Sequence, residues 1–292
     1  MATPAVTSGV APRADTNTDT GTTRRLRTLL ICHHDAPLHR EGIARWLASF
    51  SDLAGILVIE EDSGVVRRRV KRELRRVGPL RFLDVLAMRA WHRARLASGD
   101  REWEAATLRR LRERLPDLPG DLPVAVERTP NTKGAERFVR DLAPDMIVAF
   151  CKHIIAERVF TVPPVGTFVM HPGICPEYRN AHGCFWALAN GDVDNVGMTL
   201  LRIDRGVDTG PVFGYFHYDG DERLDSHIVV QHRTVFDNLD AVRDTLLAIA
   251  SGTASTVDTN GRPSAAWGQP WLSAYLRWKR QARRRAPDRR PA

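Results

Sequence analysis

Residues 165 to 211, V-G-T-F-V-M-H-P-G-I-C-P-E-Y-R-N-A-H-G-C-F-W-A-L-A-N-G-D-V-D-N-V-G-M-T-L-L-R-I-D-R-G-V-D-T-G-P, constrain the fold more than any other stretch. The apolar runs Gly166 to Met170 and Val196 to Ile203 have the make-up of buried strands, and Ala181 to Ala189 between them has helical character. Strand, helix, strand predicts a parallel crossover. The first run ends in His171-Pro172-Gly173 and the second leads to Asp208-Thr209-Gly210-Pro211. In an open parallel sheet ligands bind beyond the carboxyl ends of the strands, so His171 and Asp208 form a candidate acid/base couple. Taken alone, each is also an ordinary turn former, His-Pro after a strand and Asp before Thr-Gly-Pro.

The rest of the chain supplies a sheet for this unit. Leu26 to Cys32, Leu53 to Ile59, Leu122 to Glu127, Asp145 to Phe150 and Val212 to Tyr218 read as further strands, with helices at Lys133 to Leu142 and Ser226 to Ala250. The expected class is α/β, a Rossmann-like mostly parallel sheet with flanking helices plus a helical insertion. Residues 1–24, poor in large apolar groups, are expected to be disordered. The α/β body covers 25–252, interrupted by an Arg-rich helical insertion at about 63–115, which Gly78-Pro79 and Ser98-Gly99-Asp100 divide into two or three helices. A carboxyl-terminal extension follows over 253–292, loop-like to Tyr275, with Trp267, Trp271 and Tyr275 packing back on the body and a basic, mobile tail from Arg277 to Arg290.

Several functions are disfavoured. No G-x-G-x-x-G follows the first strand and no Walker-type loop is present, which argues against dehydrogenases and kinases. His33, His34, Asp35 and His39 raise a metal reading, but zinc needs several ligands converging with defined geometry, so the loop is read as structural or substrate-side and no metal is expected. No apolar run reaches the ~20 residues that cross a bilayer. The absence of a signal-peptide core, with four cysteines and no Cys-x-x-Cys spacing, predicts a cytoplasmic protein without a membrane partner. A net charge of +8, nearly all of it arginine, lies largely in Arg67 to Arg114 and Arg277 to Arg290. It reads first as solvated helix faces and second as a surface for acidic partners or phosphate.

On His171-Pro172, Pro176, Tyr178-Arg179, Ala187-Leu188, Asn190-Gly191-Asp192, Gly197, Thr199 and Asp208-Thr209-Gly210, the chain resembles the folate-dependent formyltransferases, which include methionyl-tRNA, sugar and glycinamide ribonucleotide enzymes. The resemblance implies transfer of a formyl group from 10-formyltetrahydrofolate to an amine through a tetrahedral oxyanion. His171 then matches the family's catalytic histidine and Asp208 its aspartate. The family's Asn-x-His-Pro is broken, because Val169 stands two residues before His171. Loss of an oxyanion donor costs on the order of 100- to 1000-fold in rate. Asn180, in the Asn180-Ala181-His182 turn, is the candidate substitute donor.

The same resemblance implies that Phe150, Cys151, Lys152, His153 and Ile154 line a pterin pocket, where apolar walls and backbone groups suit a flat ring. Lys152 and His153 read equally as ordinary strand-end polar residues. The loop Ile203 to Val207, with Asp204 and Val207, is the second cofactor candidate. Only about forty residues follow the last long helix, too few for the β-barrel domain with which methionyl-tRNA enzymes hold tRNA. The expected partner is therefore a small-molecule amine such as an amino sugar, rather than nucleic acid, and a homo-oligomer is compatible with this. The alternatives are a formyl-folate hydrolase and a catalytically altered or non-catalytic member of the fold, both prompted by Val169.

Overall fold

The computed structural model describes residues 24–285, and the disorder expected for 1–24 and the end of the basic tail fall almost entirely outside that range. A seven-stranded sheet runs in the order β3 (Val124–Glu127), β2 (Asp52–Ile59), β1 (Arg27–His33), β4 (Met146–Phe150), β5 (Gly166–His171), β7 (Gly197–Arg202), β8 (Val212–His217). Strands β1 to β5 pair in parallel, whereas β7 runs antiparallel to both its neighbours, β5 and β8. The strand order reverses between β1 and β4, the position where α/β sheets open a crevice.

Alternation along the strands builds two cores. Leu30, Cys32, Val148, Phe168 and Met170 face helices α1 (Ala44–Phe50), α7 (His227–Phe236) and α8 (Leu239–Ala250), packing on Trp46, Val235 and Leu246. Leu29, Ile31, Leu57 and Ile147 face α4 (Lys133–Leu142) and α5 (Glu157–Phe160) through Ala135, Val139 and Val159. Both sheet faces are covered, which is why the parallel strands are continuously apolar.

The expected parallel crossover is overturned. Helix α6 (Gly183–Asn190) is buried over Gly183 to Ala189, and it packs between α7 and α9 (Leu272–Arg285) instead of lying along the sheet. The chain therefore re-enters the sheet at the end where it left β5, and β7 must return antiparallel, with His171 opposite Thr199 and Phe168 opposite Arg202. Two further expectations change. The helix expected over Ser226 to Ala250 is two helices, broken at Asp237 and Asn238. The tail expected to be mobile from Arg277 is helix α9 as far as Arg285, anchored by Tyr275, Trp278 and Ala282, whose spacing puts them on one buried stripe.

The insertion forms α2 (Ser63–Arg95) and α3 (Ala97–Arg114). Asp62 caps α2 by accepting from the Val65 N–H at 2.9 Å. Gly78, at φ 77, kinks it ahead of Pro79. Ser98 to Asp100, expected as a break, are the first turn of α3, and the junction falls at Leu96. Beyond the kink α2 packs on α9, and α3 packs on the start of α1 and on α7.

Candidate active site

The centre of the site is His171, the last residue of β5 and 5% exposed. Its Nε2 lies 2.9 Å from the Tyr178 carbonyl. A carbonyl can only accept, so Nε2 carries a hydrogen and Nδ1 is left to face other partners. Nδ1 lies 3.5 Å from Asp208 Oδ2. The second ring nitrogen thus faces a carboxylate across a gap that a single proton would bridge.

The turn holding Tyr178 is built by close backbone approach. A Cβ on Gly173 would stand 2.4 Å from the Tyr178 oxygen, and one on Gly183 would stand 2.5 Å from the Gly173 Cα. Only glycine fits at either position. Thr199 Oγ1, fully buried on β7, donates to the Gly173 carbonyl at 2.6 Å and accepts from the Cys175 N–H at 2.9 Å. The peptide bond between Cys175 and Pro176 is cis. Asp208, at φ 52, accepts from the Asn180 backbone N–H at 2.8 Å. Asp204 closes the same loop by accepting from the Gly206 N–H and Thr209 hydroxyl, both at 2.8 Å.

The structure brings His171, Asp208 and Asn180 together, with the Asn180 side chain turned away. Its amide donates to the Trp267 carbonyl in the short ladder between β6 (Arg179–Asn180) and β9 (Ala266–Trp267). Asn180 therefore meets Asp208 through its backbone. Val169 packs with Cys175, Leu201, Val212 and Tyr215 in a small apolar cluster.

The segment after β4 is split. Phe150 turns away from the loop and stacks on His39, with ring centroids 5.0 Å apart. Cys151 instead packs in the opposite core with Ile155 and Ile203, which sets the 151–155 segment beside the loop that carries Asp204 and Val207. Ile154 is 65% exposed and Val207 37%, two apolar side chains left open at the carboxyl end of the sheet. The Lys152 N–H donates to His33 Nε2 at 2.9 Å across the strand-order reversal. His153 Nε2 lies 2.8 Å from Glu61 Oε1, and Arg69 of the insertion holds both oxygens of Glu61.

His182, in the left-handed conformation ahead of α6, was not singled out by sequence. Its pKa is pushed down to about 4, by burial first and the Lys152 ammonium second, with Glu73 and Arg89 of α2 also acting on it. His92 of α2 meets His227 at 5.4 Å between ring centroids, and His227 lies 6.1 Å from His182, so the insertion borders the site. The Tyr178 carbonyl is the other unforeseen element, since a backbone acceptor leaves no mark on residue identity. Gly173 and Gly183, ten residues apart in H-P-G and N-A-H-G, were the available signal of close chain approach. Among the described residues no group of three or more His, Cys, Asp or Glu converges as a metal site, and no helix is long and apolar enough to cross a membrane.

A family model described as formyl transferase matches residues 122–216, the segment from β3 to β8 that carries His171 and Asp208, and this segment is of that family. A methionyl-tRNA formyltransferase of Kosmotoga olearia is 34% identical over 93 residues, 31% of this chain and 29% of that protein. One from Corynebacterium diphtheriae is 28% identical over 157 residues, 52% and 50% of the two chains. The matches thus span only part of those proteins. Among solved structures, a sugar N-formyltransferase from Shewanella sp FDAARGOS_354 superposes with a TM-score of 0.50 at 12% identity, covering 83% of this chain and 76% of that one. A phosphoribosylglycinamide formyltransferase from Anaplasma phagocytophilum gives 0.50 at 14% identity, covering 85% and 100%. These likenesses show the fold, a mostly parallel sheet with flanking helices.

Proposed function

We propose that the chain transfers a formyl group from 10-formyltetrahydrofolate to the amine of a small metabolite, an amino sugar or a related amine. The observation that carries this is the His171 and Asp208 pair, with the imidazole tautomer set by the Tyr178 carbonyl. On this reading residues 25–252 are the transfer domain, the helices near 63–115 its insertion and 253–292 an extension.

The residues present suit such a donor. Ile154 and Val207 offer apolar surface, and Cys151 to His153 and Asp204 supply backbone groups beside them, as a flat heterocycle requires. When bound, the donor supplies the activated formyl carbonyl. The acceptor amine must shed one proton as its new bond to carbon forms, and the departing nitrogen must gain one. The gap between His171 Nδ1 and Asp208 Oδ2 is where this chain can hold that proton, and a protonated Nδ1–H can donate to developing negative charge. The Asn180 backbone N–H holds Asp208 in place. Val169 supports the second reading, hydrolysis or a lost reaction, because no side-chain amide stands where the resemblance expects one.

Incubation with 10-formyltetrahydrofolate and a panel of amino sugars, aminonucleotides and amino acids tests both readings. Amine-dependent release of tetrahydrofolate, reduced at least 100-fold by His171→Ala and by Asp208→Asn, is the expected result. Release without amine would replace transfer by hydrolysis. Folate binding without release would indicate a lost reaction, with Val169→Asn then expected to restore turnover.

A further inference from the structure

Beyond the kink at Gly78 the α2 helix is amphipathic in an unusual sense: the face turned to solvent is apolar. Val85 and Met88 point inward, 1% and 3% exposed. At 100° per residue the opposite side presents Pro79, Leu80, Leu83, Leu86, Ala90 and Ala94. Leu80 is 83% exposed, Leu83 62% and Leu86 42%, and Ala90 and Ala94 are exposed as well. No charged residue interrupts this stripe. A surface helix has no internal reason to hold three leucines in water, and contiguous exposed apolar faces mark interaction sites.

The rim indicates what covers it. Residues 63–95 carry eleven Lys or Arg and two acidic residues, Glu73 and Asp84. Both carboxylates are engaged, Glu73 by Arg76 and Asp84 by Ser273. Arg89 and Arg93 flank the stripe on one side, and neither takes part in an ion pair among the described residues. Arg81 lies on the packed side instead, over Trp271 at 4.5 Å, and Arg95 sits over Trp91 at 5.5 Å. A second copy of this helix would set arginine against arginine with no carboxylate to relieve it. A bilayer is served poorly, because the stripe has no aromatic residue and its second half is alanine. Small residues at one end and leucines at the other are what helix-on-helix packing uses, since alanine lets the axes approach to about 8 Å.

We propose that residues 79–94 of α2 dock an acidic amphipathic helix of another protein, with its apolar residues on Leu80, Leu83 and Leu86 and its carboxylates on Arg89 and Arg93. On the packed side of the same segment His92 meets His227 at 5.4 Å between ring centroids, and His227 lies 6.1 Å from His182, so the docked helix lies beside the candidate active site.

The test uses the full chain and a fluorescein-labelled 18-residue peptide with Leu at helical i, i+3, i+4 and i+7 positions and Glu elsewhere. Fluorescence anisotropy is expected to show saturable binding, weakened at least tenfold by Leu83→Ser and at least tenfold by Arg89→Glu with Arg93→Glu. The charge-reversed variant is expected to bind the same peptide with Lys in place of Glu. Thermal melts establish that these surface variants fold. Absence of saturable binding overturns the proposal, and so does binding that ignores Leu83→Ser, which would be charge attraction alone. A dimer in sedimentation that Leu83→Ser dissociates would assign the face to a second copy. Binding to phosphatidylglycerol vesicles, in place of the peptide, that Leu83→Ser abolishes would assign it to a membrane.

Discussion

Gly173→Ala isolates the contact on which the site depends. The added Cβ would meet the Tyr178 oxygen at 2.4 Å and both the Gly183 Cα and His171 Nε2 at 2.9 Å, where ordinary contact begins near 3.4 Å. Two of these neighbours are backbone atoms, so rotamer changes relieve nothing. Moving the Tyr178 carbonyl back by about 1 Å stretches its 2.9 Å bond to His171 beyond hydrogen-bond range. A buried donor and acceptor left unpaired cost about 1–3 kcal/mol, and displacement of the backbone brings the total to about 2–4 kcal/mol. At about 2–4 °C per kcal/mol for a chain of this size, the melting temperature falls by roughly 5–15 °C. Formyl transfer is expected to fall about 100-fold, because the ring loses the partner that fixes its tautomer and direction. Gly99→Ala is the control: nothing lies within 4 Å of its Cβ, and helix propensity there favours alanine by about 0.5–1 kcal/mol. Calorimetry beside the transfer assay reads both quantities. Wild-type melting and wild-type activity in Gly173→Ala would refute the role given to the Tyr178 carbonyl.

Thr199→Val keeps the shape of a fully buried side chain while leaving the Gly173 carbonyl and Cys175 N–H without their partner, so urea denaturation should show a loss of about 2–5 kcal/mol; a loss below about 1 kcal/mol would mean the turn is held otherwise. Burial pushes His39 down to about 3 and His232 to about 4, as it does His182. These folded-state values lie below the unfolded 6.5, so the unfolded chain binds protons first: stability is full above about pH 6.5 and declines as pH falls toward 4. Urea midpoints at pH 7.5, 6 and 5 should fall in that order, with the slope reduced in His39→Leu; an unchanged slope in that variant would remove His39 from the account.

Much of the architecture was readable because it repeats local physics. The buried strands announced themselves as apolar runs, and the helix over Lys133 to Leu142 by its amphipathic spacing; the structure adds its Thr132 cap, which accepts from the Ala135 N–H at 3.0 Å. What failed depended on partners far along the chain. The arginines of Arg277 to Arg285 outweighed Trp278 and Ala282 in a composition-based reading, yet those two residues dock the helix against α6. Phe150 was expected beside Ile154, but the pleat at the end of β4 sends it to the opposite face, onto His39.

Residue order alone determined that a titratable histidine would end a buried strand, that an aspartate would follow the next one in sequence, and that a basic helical insertion would interrupt the body. These follow from short-range periodicity and turn chemistry. Only the tertiary structure decided that β7 runs antiparallel, that the Asn180 amide is turned toward Trp267, and that the insertion packs His92 on His227 beside His182. Each depends on where α6, α9 and α2 find room to bury their apolar faces, and that is a property of the whole packed chain.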